Sequence, residues 1–246
     1  MTIFFAKDPK KSWYGEAIGI LILDATYPCI PGNVGNATTY DFPVRYKVVK
    51  DATIERLLTR RDPSLVQPFI DAARELEDEG VKAITGACGF MALFQKQIRQ
   101  SVNIPVFMSS LLQIPFIHQI ITPGKKVAVI TADSTAITPE HFLNVGVSPD
   151  IDLVIAGMEN CPEFYSAVLK EKGSLDSHKI ELEIVDVVKQ LLIQNRDIGA
   201  FLLECSDLPP YGAAVFRETG LPVFDYITMI KHVYTALSQK PYSGFM

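Results

Sequence analysis

Long apolar segments and a basic surface are both missing from this 246-residue sequence. No stretch stays apolar for the ~18 residues that a membrane-spanning helix needs. The 23 Lys and Arg against 28 Asp and Glu give a formal net charge of −5, and the basic residues are scattered, which does not favour nucleic acid or an anionic membrane as a partner. At the N-terminus, lysines follow a very short apolar stretch, the reverse of the order in a secretory signal. We therefore expect a cytoplasmic protein.

Cysteine is also scarce. Cys29, Cys88, Cys161 and Cys205 are too few for a disulfide scaffold, and they form no C-x-x-C pair of the kind that holds structural zinc. The glycine-rich nucleotide motifs, the H-E-x-x-H metal motif and the G-x-S-x-G nucleophile motif are absent as well. These absences argue against the enzyme classes that those motifs mark.

What the sequence does contain is a regular alternation of short apolar runs with longer helical patterns. Strands are predicted over 17–23, 42–49, 81–85, 104–108, 126–132, 153–157, 199–204 and 221–224, of which 42–49 reads as half-exposed. Helices are predicted over 64–79, 91–100, 111–121, 176–195, 208–218 and 227–237, and Ser64 with Gln67 forms a candidate capping box. Apolar strands separated by helices predict an α/β protein with parallel sheets covered on both faces.

The sequence contains an internal duplication. Residues 81–107 align with 198–224 without a gap, and residues 18–26 align with 127–135 as strands that end in Asp-x-Thr. The identical pairs in the first alignment are Ala83 with Ala200, Cys88 with Cys205, Pro105 with Pro222, Val106 with Val223 and Phe107 with Phe224. The chain is therefore predicted to consist of two pseudo-symmetric α/β halves, each with a cysteine at a strand end.

The matched cysteines suggest acid–base chemistry. Cys88 and Cys205 follow predicted strands and precede predicted helices, where ligands bind in parallel sheets and where helix N–H groups favour a thiolate. Two halves facing each other would bring one sulfur to each side of a substrate. One thiolate could then remove an α-proton while the opposite thiol returns a proton to the other face, which inverts the carbon. Backbone N–H groups would stabilise the enolate-like intermediate.

Simpler interpretations stay open for several residues. A buried cysteine is usually a small hydrophobic residue, and we interpret Cys29 and Cys161, which have no matching partner, in that way. Each of them also follows a predicted strand, so a place near the cleft is the alternative. Asp24 is either a turn-forming residue or an acidic site residue. The segment 31–39 is either an ordinary surface loop or the edge of a cleft, in which Asn33 and Asn36 would contact a substrate.

The strings TGACGF at 85–90, LLECSD at 202–207 and the strand-Asp-x-Thr element at 127–135 resemble the aspartate/glutamate racemase superfamily. That group includes aspartate, glutamate and hydantoin racemases, maleate isomerases and arylmalonate decarboxylases. The resemblance implies two pseudo-symmetric domains, 1–115 plus 226–246 and 116–225, with the active site between them. It also implies a small-molecule substrate, no cofactor, no metal and a homodimer.

The resemblance also implies site residues. Cys88 and Cys205 would be the acid–base pair. The substrate-binding positions would be Asp24, Gly89, Phe90, Ser134, Thr135 and Ser206, with Ser134 and Thr135 at the substrate carboxylate and Gly89 and Ser206 as N–H donors. Glu204 and Asp207 place negative charge near Cys205 and oppose a thiolate there, which leaves Cys88 as the easier thiolate.

The implied function is a racemase or epimerase that acts on an aspartate- or glutamate-like amino acid, a related small carboxylate or a hydantoin. Amino-acid racemases often carry Cys-Asn-Thr at the first site and Cys-Thr at the second. Here the strings are Cys-Gly-Phe and Cys-Ser-Asp, so the substrate stays open. The alternatives are an isomerase like maleate isomerase, a decarboxylase like arylmalonate decarboxylase, and a non-catalytic protein that binds a small molecule.

Overall fold

The computed structural model describes residue 3 and residues 12–246. The lysines at 7, 10 and 11, on which the expectation about the N-terminal segment depends, lie outside the described residues. None of the helices within the described ranges is both long enough and apolar enough to cross a bilayer.

The described part of the chain forms two four-stranded parallel sheets. The first has the order β2-β1-β3-β4 and the second has the order β6-β5-β7-β8. The strands are β1 (Ile18–Leu23), β2 (Val44–Val49), β3 (Ala83–Gly86), β4 (Val106–Phe107), β5 (Lys126–Thr131), β6 (Leu153–Gly157), β7 (Ile198–Leu203) and β8 (Val223–Phe224). The two sheets repeat one topology, which confirms the predicted α/β class and the duplicated halves.

Helices flank both sheets. They are α1 (Val66–Asp78), α2 (Gln95–Ser101), α3 (Ile114–Ile120), α4 (Pro139–Asn144), α5 (Pro162–Phe164), α6 (Ser177–Gln194), α7 (Gly212–Thr219) and α8 (Tyr226–Leu237). Four of them follow 3₁₀ turns at Pro63–Leu65, Gly89–Phe94, Ser110–Gln113 and Pro209–Tyr211. Segments that the sequence did not predict are the short helix α5, a 3₁₀ turn at Ala37–Thr39 and π-helical turns at Glu55–Thr59 and Tyr165–Leu169.

The order of the strands explains their composition. The central strands β1, β3, β5 and β7 are almost wholly buried, because each has a neighbour on both sides and helices above and below. The edge strand β2 is partly exposed and carries Arg45 and Lys47, charges of the kind that protect a sheet edge from further pairing. The predicted half-exposed strand over 42–49 is therefore confirmed.

One hydrophobic core is shared by the two halves. It joins Leu21 and Ile84 of the first sheet to Ile130 and Leu203 of the second. The last helix, α8, packs through Tyr226 in a separate cluster with β1. The last helix thus packs against the first strand, so a single cut in the sequence does not divide the chain into its two halves. The domain bounds 1–115 plus 226–246 and 116–225 stay a prediction.

The predicted capping box at Ser64 and Gln67 is wrong. The side chain of Asp62 accepts from the backbone N–H of Ser64 at 2.9 Å and begins the turn at Pro63–Leu65, while the Gln67 amide donates to Asp71. A carboxylate followed directly by proline is a strong start signal, because proline has no N–H to satisfy and its φ is already helical. The chain therefore turns before Ser64.

Candidate active site

Cys88 lies where β3 passes into the turn Gly89–Phe94. Its backbone is extended, with φ at −164°, and its side chain is half-buried. Burial and, secondly, the charge of Glu204 raise the pKa of the Cys88 thiol, whereas the backbone N–H groups of Phe90 and Met91 pull that pKa down. The sulfur therefore has N–H donors that stabilise a thiolate and a nearby acid that opposes it.

Cys205 occupies the equivalent position after β7. The thiol is buried and donates to Oδ2 of Asp207 at 3.4 Å. Burial, followed by the charges of Asp207 and Glu204, raises the pKa of Cys205 well above its usual value, and the charge of Cys88 acts in the same direction. The structure thus brings both predicted cysteines to one place, close enough for their charges to interact.

Hydrogen bonds hold the two cysteine segments together. The Ser206 hydroxyl donates to the carbonyl oxygen of Ala87 at 2.8 Å, and the N–H of Val34 donates to the Ser206 carbonyl at 3.3 Å. The Ser110 hydroxyl donates to the carbonyl of Glu204 at 3.2 Å. The hydroxyl of Ser206, predicted as a site residue, therefore links the two halves.

The loop after β1 contacts the second cysteine through Asp207. The amide of Asn33 donates to Asp207 Oδ1 at 2.5 Å, and the Tyr27 hydroxyl also bonds to this carboxylate. Burial raises the pKa of Asp207 to about 6, and these hydrogen bonds act in the opposite direction. The segment 31–39 thus lies against the site, but the Asn33 amide already has a protein partner, and the Asn36 side chain caps the turn at Ala37–Thr39.

Glu204 is a functional candidate to which the sequence gave no role beyond negative charge. Its carboxyl group is fully buried, and Oε2 accepts from the Thr131 hydroxyl at 2.8 Å. Burial raises the pKa of this carboxyl to about 7. Tyr27 and Tyr226, which lie close enough for the charges of both cysteines to raise their pKa values, had no sequence signal of their own. Thr131 did have a sequence signal, because it ends strand β5 within the duplicated segment 127–135.

Gly89 and Phe90 have distinct surroundings. A Cβ atom on Gly89 would lie 1.8 Å from Glu204 Oε1, so this position accepts only glycine while that carboxyl stays in place. The ring of Phe90 is 1% exposed and packs edge-on against the ring of His141, with 5.2 Å between the centroids. The bulk of Phe90 is therefore in the core, and its backbone N–H faces Cys88.

The predicted carboxylate-binding residues already hold carboxylates of the protein. Glu159 accepts from the N–H of Ser134 at 3.1 Å and from its hydroxyl at 2.5 Å. Thr135 is exposed, and its N–H and hydroxyl both donate to Asp133. Ser134 also borders an open, mainly apolar groove of about 550 Å³. A substrate carboxylate would reach the donors of Ser134 only by displacing Glu159.

Among the remaining candidates, Asp24 and Cys161 contact residues outside the site, whereas Cys29 lies near Asp207. Asp24 is exposed and accepts from the N–H of Asp51 at 3.1 Å, so its side chain joins the ends of β1 and β2. The Cys161 sulfur packs 4.0 Å from the sulfur of Met158 in the core. Cys29 is partly buried, and burial together with the charge of Asp207 raises its pKa to about 11.

The ionisable groups around the two sulfurs are acidic. Glu204 and Asp207 accept hydrogen bonds from hydroxyl, amide and thiol groups, and no Lys, Arg or His within residues 12–246 forms a hydrogen bond or ion pair with either of them. Two thiols with two buried acids can exchange protons with a substrate carbon. This environment also favours a substrate that carries positive charge.

Comparisons with known protein structures agree with this geometry at the level of the fold. Allantoin racemase from Klebsiella pneumoniae superposes with a TM-score of 0.62 at 14% identity, over 90% of this chain and 87% of that one. Unliganded arylmalonate decarboxylase gives 0.58 at 15% identity, over 90% and 92%. Glutamate racemase from Francisella tularensis subsp. tularensis gives 0.56 at 18% identity, over 91% and 81%. The fold that the resemblance to the racemase superfamily implied is confirmed.

No protein-family model matches the chain. The comparison with individual protein sequences identifies a narrower group of relatives than the comparison of folds. Dimethylsulfoniopropionate lyase from Durusdinium sp. clade D is 36% identical over 227 residues, which are 90% of this chain and 74% of the relative. Dimethylsulfoniopropionate lyase 6 from Emiliania huxleyi is 36% identical over 236 residues, which are 93% of this chain and 61% of the relative. The chain belongs to the dimethylsulfoniopropionate lyase family and has the fold of the aspartate/glutamate racemase superfamily.

Proposed function

We propose that this chain is a lyase that removes the α-proton of a β-sulfonium carboxylate and releases the sulfur group, with dimethylsulfoniopropionate as the substrate. The observation that carries the proposal is that the ionisable groups around the cysteines are acidic and that Glu204 and Asp207 have no cationic partner among the described residues. A sulfonium group compensates the negative charge of a thiolate or carboxylate at this site, whereas an acidic amino acid adds to it. The names of the sequence relatives support the same substrate.

The reaction needs one base. The Cys88 thiolate takes the proton from the carbon next to the carboxylate, and the C–H electron pair becomes the new double bond. The bond between the β-carbon and sulfur breaks, and its electron pair leaves on sulfur as neutral dimethyl sulfide, with acrylate as the other product. The Cys88 thiol then returns its proton to water. The leaving group takes up no proton, so no acid is required at that end.

The surroundings of the two sulfurs support this assignment of roles. Burial and Glu204 raise the pKa of Cys88, but the N–H groups of Phe90 and Met91 act in the opposite direction and offer two donors to a thiolate. The Cys205 thiol instead donates a hydrogen bond to Asp207, and an ionised carboxylate at this distance keeps the thiol protonated. Cys88 is therefore the base, and Cys205 stays a thiol beside it.

Racemisation is the second candidate, and the specific observation in its favour is that Cys205 occupies the pseudo-symmetric position. A racemase shares the first step, α-proton removal by one cysteine, and then delivers a proton from the other side. The two reactions differ in their demand on Cys205. Racemisation needs that thiol, whereas elimination does not.

The test is to incubate the purified chain with dimethylsulfoniopropionate and no added cofactor. Dimethyl sulfide is measured by headspace gas chromatography and acrylate by NMR. We expect the two products in equal amounts, a rate lower by about 100-fold or more in Cys88→Ser, and a measurable remaining rate in Cys205→Ser. Cys161→Ala, which changes a core thiol outside the site, is the matched control.

A parallel experiment in D₂O with both enantiomers of aspartate and glutamate and with 5-substituted hydantoins tests the second candidate. Exchange with loss of optical purity, absent in both cysteine variants and without dimethyl sulfide release, would replace the lyase by a racemase. Dimethyl sulfide release at the wild-type rate by Cys88→Ser would refute Cys88 as the base.

A further inference from the structure

Glu204 is a buried acid with one unused acceptor. It follows β7, has 0% of its surface exposed, and accepts from the Thr131 hydroxyl through Oε2 alone. Its Oε1 atom is buried and has no hydrogen-bond partner among the described residues. A carboxylate left in this state is costly, whereas the protonated acid removes the charge from the interior.

The unused side of this carboxyl group faces the turn that begins at Cys88. A Cβ atom on Gly89 would lie 1.8 Å from Oε1 and 2.7 Å from the carbonyl oxygen of Glu204. The carboxyl group thus packs directly against the backbone of the residue after Cys88. Its position is fixed from the other side by Thr131 at the end of β5.

Several titratable groups face Cys88, and they come from three parts of the chain. They are Glu204, Cys205 and Asp207 after β7, Tyr27 after β1, and Tyr226 of α8. Glu204 has the largest effect of these on the pKa of Cys88. Asp207 is already engaged by Cys205, Tyr27 and Asn33, and both tyrosines are kept neutral by raised pKa values.

From this geometry we propose that Glu204 is a positioning residue whose own protonation determines whether Cys88 is a thiol or a thiolate. The inference rests on the proposed role of Cys88 as the base. A neutral Glu204 leaves the site free to hold the negative charge of the thiolate on Cys88. An ionised Glu204 places a second negative charge in the same buried space, so the two groups compete for one charge.

The test measures the ionisation of Cys88 without substrate. The 246-residue chain is alkylated with iodoacetamide over a range of pH, and the peptide that contains Cys88 is quantified by mass spectrometry. In Glu204→Gln the charge is removed while the shape is kept. We expect the midpoint of Cys88 alkylation to fall by about one to three pH units relative to wild type. If the lyase is active, the acid limb of its kcat/KM profile moves in the same direction.

Two further variants keep this test decisive. Glu204→Met removes the acid with an apolar side chain of similar length, and it is expected to lower the midpoint as well if Glu204→Gln does not fold. Glu163→Gln is the matched control. Glu163 is a second buried glutamate, but it pairs with Lys172 and is not among the charges that act on Cys88. We expect this variant to leave the midpoint of Cys88 alkylation unchanged.

An unshifted midpoint in a folded Glu204 variant, with folding checked by circular dichroism, overturns the proposal. The outcome is independent of the proposed activity. A lowered midpoint in a chain that releases no dimethyl sulfide would refute the lyase and keep the role of Glu204. Dimethyl sulfide release with an unshifted midpoint would support the lyase and refute the role of Glu204.

Discussion

The hydroxyl of Ser206 donates a 2.8 Å hydrogen bond to the carbonyl oxygen of Ala87, and these two residues are the direct chain neighbours of Cys205 and Cys88. The bond crosses from the second half to the first and is fully buried. It therefore fixes the separation of the two thiol-bearing segments more directly than any contact within one half.

Ser206→Ala removes this bond and leaves the carbonyl of Ala87 without its donor. We expect the free energy of unfolding to fall by about 1–3 kcal/mol, because a buried acceptor loses its partner. We also expect kcat to fall by roughly 10-fold, because the sulfurs are no longer held in place. Urea unfolding and steady-state kinetics measure the two effects.

Ser101→Ala is the control for this prediction, because its hydroxyl donates to the Ile98 carbonyl over the same 2.8 Å but within the first half. It is expected to lose some stability and to retain kcat. Equal kcat in Ser206→Ala and Ser101→Ala would contradict the role of the bond between the halves.

Gly89→Ala tests the close approach of Glu204. The new Cβ would meet the carboxyl oxygen at 1.8 Å and the Glu204 carbonyl at 2.7 Å, so the turn after Cys88 has to move. We expect a loss of about 1–3 kcal/mol in the free energy of unfolding, as in other overpacked cores, together with loss of activity. Thermal and urea unfolding measure this loss.

Gly212→Ala is the matched control, because a Cβ there meets nothing closer than 3.4 Å. A double variant with Glu204→Ala should recover part of the stability lost by Gly89→Ala, since the clashing carboxyl is gone. Full stability of Gly89→Ala alone would show that the carboxyl group moves away at little cost.

Glu159→Ala should free the N–H and hydroxyl of Ser134. In the wild-type chain the Glu159 carboxylate accepts from both donors, at 3.1 and 2.5 Å. A small free carboxylate such as malonate is therefore expected to bind Glu159→Ala about 10-fold more tightly than wild type, the value of one charged hydrogen bond. Isothermal titration calorimetry gives the two affinities.

The double variant Ser134→Ala with Glu159→Ala separates the donors from the change in charge. It should lose the gain in malonate affinity if Ser134 is a carboxylate-binding residue, as the resemblance to racemases implies. Equal affinity in the single and double variants would assign the gain to the lost negative charge.

His141 predicts a pH dependence of stability. Burial lowers its pKa from 6.5 to about 4. Between these two pH values, His141 is protonated in the unfolded chain and neutral in the folded chain. The contribution of neutral His141 to the free energy of unfolding is therefore complete above pH 6.5 and is lost as the pH falls toward about 4. His141→Gln keeps a side chain suited to the capping box with Thr138 and removes this titration.

We expect the wild-type chain to lose on the order of 1–3 kcal/mol more than His141→Gln across this interval, measured by urea unfolding at several pH values. The comparison between variants is needed because Glu204 and Asp207, whose pKa values are raised, act with the opposite sign. Parallel stability curves for the two proteins would mean that the pKa of His141 is the same in the folded and unfolded chain, which contradicts the effect of burial.

Local sequence patterns were enough to identify the strands and the duplication. A buried strand such as IGILIL at Ile18–Leu23 is apolar on both faces because helices cover the sheet on both sides. The match of Cys88 with Cys205 needed only one ungapped alignment. It located both cysteines at strand ends, and parallel strands carry such residues to the same edge of a sheet.

The choice between two neighbouring capping residues was harder to predict. Ser64 and Asp62 are both suitable capping residues, two positions apart, and Pro63 decides between them by fixing the backbone after Asp62. The Phe90 ring shows the same limit on a larger scale. Its neighbour His141 is 51 positions away in sequence, and no local pattern indicates that the ring lies in the core.

The sequence by itself determined an α/β chain of two similar halves with a cysteine at one strand end of each. Only the tertiary structure decided the chemistry around those cysteines. Glu204 lies against Gly89 and Asp207 lies against Asn33, and both pairs join the two halves of the chain. Burial and the charge of a distant neighbour set the pKa of an acid or a thiol, and both depend on contacts that form only when the halves meet.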